Sequence, residues 1–222
     1  VHITNMEDLL KITKNVSKEA FKVAEEYWPG PLTMIFEKNE KVPYGTTGGL
    51  NTVAVRMPSH EIARAVIDAG GGYIAAPSAN TSGRPSPTAA EHVKEDMDGR
   101  IDMIVDGGDV EIGVESTILD MTVTPPMILR PGAVTKEMLE DLIGEVAEDV
   151  ALIDPDSKKK PKAPGMKYRH YAPKAELLIV EGKMDQVIET INRMAKEQIS
   201  KGYKVGIIGT EESVASYKDG DV

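Results

Sequence analysis

Apolar residues follow two spacings along the first two thirds of the chain, and these spacings predict helices and strands in an intermixed order. Residues 16–27 carry apolar side chains at helical spacing, and Ser17 is suited to begin this helix as its N-cap. Shorter apolar runs bounded by proline or glycine predict strands. The predicted strands are 32–37, 52–57, 72–76, 103–105, 117–121 and 127–130, and the further helices are 61–69, 89–97 and 136–143. This order predicts an α/β or α+β fold on a mixed sheet.

The pattern changes near residue 149. From there to residue 173, prolines and lysines replace the periodic apolar residues, which is typical of a linker. Beyond it, an amphipathic helix at 184–200 between buried strands at 177–180 and 205–208 predicts one βαβ unit of a doubly wound domain. We therefore expect a first domain at 1–148, a linker at 149–173 and an incomplete second domain at 174–222.

Two glycines in the second domain, Gly206 and Gly209, leave a nucleotide-binding loop open as an interpretation. The glycine fingerprint of such loops is incomplete here, so structural glycines are the favoured alternative.

Composition narrows the possible functions. The 222 residues carry a formal net charge of −10, which disfavours a protein whose main task is to bind nucleic acid. The sequence has no cysteine, and its four histidines lack metal-ligand spacing, so no metal-binding residues are predicted. No apolar run reaches the roughly 18 residues of a membrane helix. We expect a cytoplasmic protein that does not associate with membranes.

The segment 75–86, with the sequence Ala-Ala-Pro-Ser-Ala-Asn-Thr-Ser-Gly-Arg-Pro-Ser, is the densest cluster of potential binding groups. An apolar strand ends there in hydroxyl, amide and guanidinium groups, while Pro77 and Pro85 fix the backbone. Ser78 and Asn80 are two positions apart in an extended segment and would point to the same side. Such groups suit phosphate or carboxylate oxygens. An ordinary polar turn is the alternative interpretation.

Five further motifs accompany this segment in a fixed order. They are Trp28–Thr33, Gly45–Pro58, Gly113–Ile118, Ile128–Ala133 and Pro164–Pro173. Together the six motifs resemble the YrdC-like family in its two-domain form, the threonylcarbamoyl-AMP synthases, over roughly residues 1–173. The resemblance implies a twisted mixed, mostly parallel sheet with a concave ligand face. It also implies a Lys-x-Arg motif in a segment that would precede Val1, so we expect this chain to begin within its first domain.

The family resemblance implies an activity. L-threonine, bicarbonate or CO2 and ATP would be joined into threonylcarbamoyl-AMP with release of pyrophosphate, which makes the protein a nucleotidyltransferase. The threonine amine would become a carbamate that attacks the α-phosphorus of ATP, so no covalent enzyme nucleophile is needed. Mg²⁺ would be held mainly through ATP oxygens.

The resemblance also implies where the product goes. It would pass to a transferase complex that modifies adenine beside the tRNA anticodon, while direct binding of this chain to tRNA would be weak. Two alternatives remain: an RNA- or ribosome-binding module of the same fold without ATP turnover, and a carbamoyl-adenylate-handling relative from metallocentre maturation.

Roles for individual side chains also follow from the resemblance. Arg56, at a strand end, would bind the threonine carboxylate with its guanidinium, and Ala76 and Ser116 would complete the threonine site. The implied ATP contacts are Thr52, Ser78, Asn80, Ser86, Arg130 and Tyr171. The implied catalytic set is Arg56, Ser78, Asn80 and Arg130.

An aromatic and basic cluster lies inside the predicted linker, where core packing does not explain it. By resemblance it would form a lid over the nucleotide, while tyrosines that attach the linker to the first domain are the alternative. The predicted lid residues are Lys167, Tyr168, Arg169, His170 and Tyr171.

Overall fold

The computed structural model describes residues 1–149 and 175–218, and the chain divides into two compact units, Val1–Ala172 and Pro173–Val222. The strands of the first unit are β1 His2–Ile3, β2 Leu32–Glu37, β3 Thr52–Arg56, β4 Tyr73–Ile74, β5 Thr117–Asp120, β6 Met127–Arg130 and β7 Ala147–Glu148. Its helices are α1 Met6–Ile12, α2 Lys18–Tyr27, α3 Glu61–Ala69, α4 Ala90–Met97 and α5 Lys136–Ile143. The second unit contains α6 Met184–Ser200 and α7 Glu211–Val214. Among the described helices, none combines the length and the hydrophobicity of a membrane-spanning segment.

The described strands of the first unit form one seven-stranded sheet in the order β4-β1-β3-β2-β5-β6-β7. The neighbours β1–β3, β2–β5 and β6–β7 are parallel, and β1–β4, β2–β3 and β5–β6 are antiparallel. The predicted α/β class with a mixed sheet is therefore confirmed, with parallel and antiparallel pairs in equal number among the described strands.

The two faces of this sheet differ in how they are covered. Because side chains alternate along a strand, Met34 and Phe36 of β2 lie on one face and Ile35 on the other. The first face carries the main core, in which α1, α2 and α5 contribute Leu9, Ile12, Ala20, Val23, Ala24 and Leu139. The opposite face buries a smaller cluster of Ile35, Ile118 and Leu129. This second face is the one on which polar side chains gather.

Three predicted strands are wrong. Residues 103–105, 177–180 and 205–208 are not in strands, apart from an isolated bridge at Gly206. Many of their apolar side chains are exposed, including Met103 at 77%, Ile179 at 81% and Ile208 at 90%, although Ile207 is buried. A strand needs a neighbour for its backbone hydrogen bonds, and the described residues place no paired strand beside these segments. Of the predicted βαβ unit, the described structure contains the helix α6.

Close packing within the second unit explains the glycine at position 209. A Cβ at Gly209 would lie 2.6 Å from the ring of Tyr217 and 2.9 Å from the Ser213 hydroxyl oxygen. Asn192 of α6 holds the same C-terminal turn, because its side chain donates to the Ser216 carbonyl at 3.0 Å and accepts from the Lys218 N–H at 2.9 Å. Close packing accounts for Gly209, which favours the structural interpretation over a nucleotide loop.

The start of α2 offers a test of local helix stability. The Ser17 hydroxyl accepts a hydrogen bond from the Ala20 N–H at 3.1 Å, as its predicted capping role requires. We expect Ser17→Ala to lower the free energy of unfolding by about 1 kcal/mol, measured by denaturant titration. Ser17→Asn keeps an acceptor and should remain close to wild type. Equal losses in both variants would contradict a contribution from the cap.

Candidate functional site

Four polar side chains lie together at one end of the sheet, on or next to the neighbouring strands β3, β2, β5 and β6. They are Arg56, Thr33, Ser116 and Arg130, which we call the polar strip. Thr33 pairs with both Arg56 and Ile118, and Ile118 pairs with Arg130. Ser116 precedes Ile118 by two residues, so alternation places it on the same face. That face is opposite the main core.

Arg130 is fixed by Ser116. Its Nε and Nη2 atoms donate to the Ser116 carbonyl oxygen at 3.0 and 2.8 Å, and Nη2 also donates to the Ser116 hydroxyl at 3.1 Å. The same hydroxyl lies 2.7 Å from the Thr33 hydroxyl. Ser116 is itself buried, so these bonds are shielded from water. The guanidinium is therefore held in one orientation before any ligand arrives.

Arg56 lies across the strip from Arg130. Its Nε donates to the Gly30 carbonyl oxygen at 3.0 Å. Burial, together with the positive charge of Arg130, lowers the pKa of Arg56. His2 pairs with Arg56 in the sheet, and burial lowers the pKa of His2 to about 4, so His2 is neutral at pH 7. Two half-buried cations with like charge form a site that favours an anion.

The loop Trp28–Pro31, which directly precedes β2, holds Arg56 in this arrangement. Gly30 donates its N–H to the Met57 carbonyl at 2.8 Å, and Thr117 donates its N–H to the Pro31 carbonyl at 3.0 Å. The Trp28 indole N–H donates to the Leu32 carbonyl at 2.7 Å. The loop is thus attached to the end of β3 and the start of β5, which keeps the Gly30 carbonyl in reach of Arg56.

The structure brings together three of the predicted site residues, Arg56, Ser116 and Arg130. Thr33 was missed, although it belongs to a motif that marked the resemblance. Its hydroxyl could have been identified only from the strand register, because Thr33 lies 23 positions before Arg56 in the sequence. No local pattern distinguishes it from an ordinary strand threonine.

Other predicted residues lie elsewhere. Thr52 begins β3 and pairs with Glu37, so it is about 13 Å along the strand from Arg56. Ala76 and Ser78 are exposed in the irregular segment after β4, while Asn80 and Ser86 are half-buried there. The Asn80 amide donates to carbonyls of Thr81 and Arg84, within its own segment. The contacts described for Asn80 do not join it to the polar strip.

The predicted lid residues Lys167, Tyr168, Arg169, His170 and Tyr171 lie outside the described residues. Within the described residues, no group of three or more His, Cys, Asp or Glu side chains is placed to hold a metal ion.

Comparison with known proteins gives two family matches that together span most of the chain. A model for Sua5, YciO and YrdC proteins, described as "Telomere recombination", matches residues 1–132. A second model, described as "Threonylcarbamoyl-AMP synthase, C-terminal domain", matches residues 134–221.

Individual relatives agree with these models. A threonylcarbamoyl-AMP synthase of Pyrococcus abyssi is 50% identical over 95% of this chain and 62% of its own length. One of Bacillus subtilis is 46% identical over 98% of this chain and 61% of its own length. The crystal structure of P. abyssi Sua5 complexed with L-threonine superposes with a TM-score of 0.88 and 50% identity, over 94% of this chain and 61% of that one. The chain thus spans about three fifths of the relatives it matches.

Proposed function

The chain belongs to the Sua5, YciO and YrdC family, and from this premise we propose that the protein is an L-threonylcarbamoyladenylate synthase. It would be a nucleotidyltransferase that uses L-threonine, bicarbonate or CO2 and ATP as substrates. Relatives named threonylcarbamoyl-AMP synthase, at 46–50% identity, support this activity.

The observation that carries the proposal is the polar strip. The substrates bring anionic groups, since threonine carries a carboxylate and ATP carries phosphates. Arg56 and Arg130 face them from either side of Ser116 and Thr33, with their Nε atoms already bonded to backbone carbonyls. Arginine forks suit both carboxylate and phosphate oxygens. A reaction between two bound anions needs cationic groups that are already oriented before the substrates bind.

Threonine would lie on the Arg56 side. The guanidinium would take the carboxylate, Ser116 would contribute its hydroxyl, and Ala76 would close the site. The structure of P. abyssi Sua5 with L-threonine supports a threonine site in this fold.

ATP would lie on the Arg130 side, with its phosphates toward that guanidinium. The further contacts we propose are Thr52, Ser78, Asn80, Ser86 and Tyr171. The predicted lid, residues 167–171, would cover the nucleotide. A strip with two guanidinium groups repels a bare cation, so Mg²⁺ would enter on the ATP phosphates with its remaining ligands from water.

The chemistry then requires positioning rather than a covalent enzyme intermediate. The carbamate formed on the threonine amine would attack the α-phosphorus in line with the departing pyrophosphate. Arg130 would stabilise the negative charge that develops on the phosphates. Threonylcarbamoyl-AMP would leave for a tRNA-modifying transferase complex, and the reaction would take place in the cytoplasm.

We expect the full-length protein to consume ATP only when L-threonine and bicarbonate are both present, and to release pyrophosphate rather than orthophosphate. Attack at the α-phosphorus requires this leaving group. Coupled assays for the two phosphates, with chromatographic detection of the adenylate, provide the measurement. Steady orthophosphate release without an adenylate would contradict the proposal, and duplex RNA binding without ATP turnover would favour a binding module instead.

A further inference from the structure

The segment 75–89, which carries Ser78 and Asn80, has no helix or strand of its own, yet its central turn is held by a residue of α4. The fixing group is Asp96, near the C-terminal end of α4, whose side chain is 5% exposed. One carboxylate oxygen accepts the Thr81 N–H at 2.9 Å, and the other accepts from the Arg84 guanidinium. A buried carboxylate near a helix C-terminus is unfavourable unless specific partners satisfy it. Both described partners belong to the segment.

A second set of bonds closes the turn around Asn80. The Asn80 amide nitrogen donates to the carbonyl oxygens of Thr81 and Arg84 at 2.9 and 3.1 Å. The Arg84 N–H donates to the Thr81 carbonyl at 3.1 Å. Two acceptors around one amide atom identify that atom as nitrogen. The turn and Asp96 therefore share Thr81 and Arg84.

The oxygen of the Asn80 side-chain amide takes no part in these bonds. This oxygen is buried and has no hydrogen-bond partner within the described part of the chain. Buried acceptors of this kind are rare because an unpaired polar atom is costly. Asn80 is thus poised to accept from an N–H or O–H group of a ligand, whereas its own nitrogen is occupied.

We propose that Asp96 is a positioning residue, which holds Thr81 and Arg84 so that Asn80 presents its free oxygen, and Ser78 its hydroxyl, to the nucleotide. This inference rests on the proposed function, because it takes Ser78 and Asn80 as nucleotide contacts. The donor that Asn80 accepts from would be an amino or hydroxyl group of the nucleoside, since phosphate oxygens at neutral pH donate nothing.

Asp96→Asn separates the two bonds that Asp96 makes. The amide oxygen still accepts from Thr81, but the ion pair with Arg84 is lost. Glu95→Gln is the matched control, because Glu95 is the adjacent exposed residue and contacts the same guanidinium at 3.6 Å. Arg84→Gln removes the same ion pair by changing Arg84, its exposed partner. This variant keeps the test usable if Asp96 variants fold poorly.

The experiment combines amide hydrogen exchange with kinetics on the full-length protein. Asp96→Asn and Arg84→Gln are expected to speed amide exchange across residues 78–86. Both variants are also expected to raise KM for ATP by about tenfold, as loss of a charged hydrogen bond implies. KM for threonine should stay within about twofold, and Glu95→Gln should resemble wild type in every measurement. A merely structural role would instead lower the folded fraction and leave both KM values unchanged.

Two results would overturn the inference. Unchanged exchange in Asp96→Asn would show that Asp96 does not hold the segment. Faster exchange with an unchanged KM for ATP would show that the segment does not serve the nucleotide. Failure of the wild-type protein to form threonylcarbamoyl-AMP would overturn the proposed function separately, while the exchange comparison, which needs no ligand, still tests the anchoring role of Asp96.

Discussion

Replacing Arg130 by alanine is expected to weaken ATP binding by roughly tenfold or more, whereas Arg56→Ala is expected to weaken threonine binding by a similar factor. One guanidinium is assigned to the phosphates and the other to the carboxylate, and a charged hydrogen bond contributes about 1.5–3 kcal/mol. Calorimetric titration of both variants with both ligands measures the difference.

The two variants should not be mirror images. Arg130 bonds both the carbonyl and the hydroxyl of Ser116, so its loss also releases a residue of the proposed threonine site. Arg130→Ala should therefore weaken threonine binding as well, by a smaller factor than ATP binding. Arg56 bonds the Gly30 carbonyl, and its loss should leave ATP affinity nearly unchanged.

Two controls sharpen the comparison. Arg130→Lys keeps the positive charge but loses the fork on Ser116, so an intermediate ATP affinity is expected. Arg100→Ala removes one exposed positive charge away from the strip and should change neither affinity. Equal losses for both ligands in Arg56→Ala and Arg130→Ala would show that the two guanidinium groups do not divide the substrates between them.

Local sequence signals predicted most elements of the first unit well. The bounds of β2, β6, α3 and α5 match the prediction to the residue, because hydrophobic periodicity and flanking proline or glycine act over a few positions. The strand predicted at 72–76 is shorter, at Tyr73–Ile74. The failures at 103–105, 177–180 and 205–208 have a common cause. An apolar run indicates a tendency to form a strand, but it does not indicate whether a partner strand is present.

The predicted and the missed site residues also differ in whether a local sequence signal marks them. Arg56, Ser116 and Arg130 were identified through ordered motifs, and the structure places them together. Thr33 could not be identified in this way, because its role depends on the register of β2 against β3 and β5. Asp96 was also missed, because its two partners lie 15 and 12 positions earlier and no motif links them. Side chains that act through distant partners leave little local signal.

Gly132→Ala is expected to lower the free energy of unfolding by about 1–3 kcal/mol, as overpacking against a rigid neighbour does. A Cβ there would lie 2.5 Å from both the Glu115 carbonyl oxygen and the Thr117 N–H nitrogen. Neither backbone atom can move alone. Thr117 is fully buried, and its hydroxyl donates to the Val134 carbonyl at 2.7 Å and accepts from the Val134 N–H at 3.1 Å.

The same substitution should also reduce activity, because Ser116 lies between the two residues that the new methyl group would displace. A shift of Ser116 moves the carbonyl that orients Arg130, so ATP affinity should fall together with stability. Gly113→Ala is the matched control, since a Cβ at that position meets no atom within 4 Å. Urea titration and ATP calorimetry on both variants test the expectation. If Gly132→Ala were as stable and as active as Gly113→Ala, the close approach of this turn to Ser116 could not be what holds Arg130 in place.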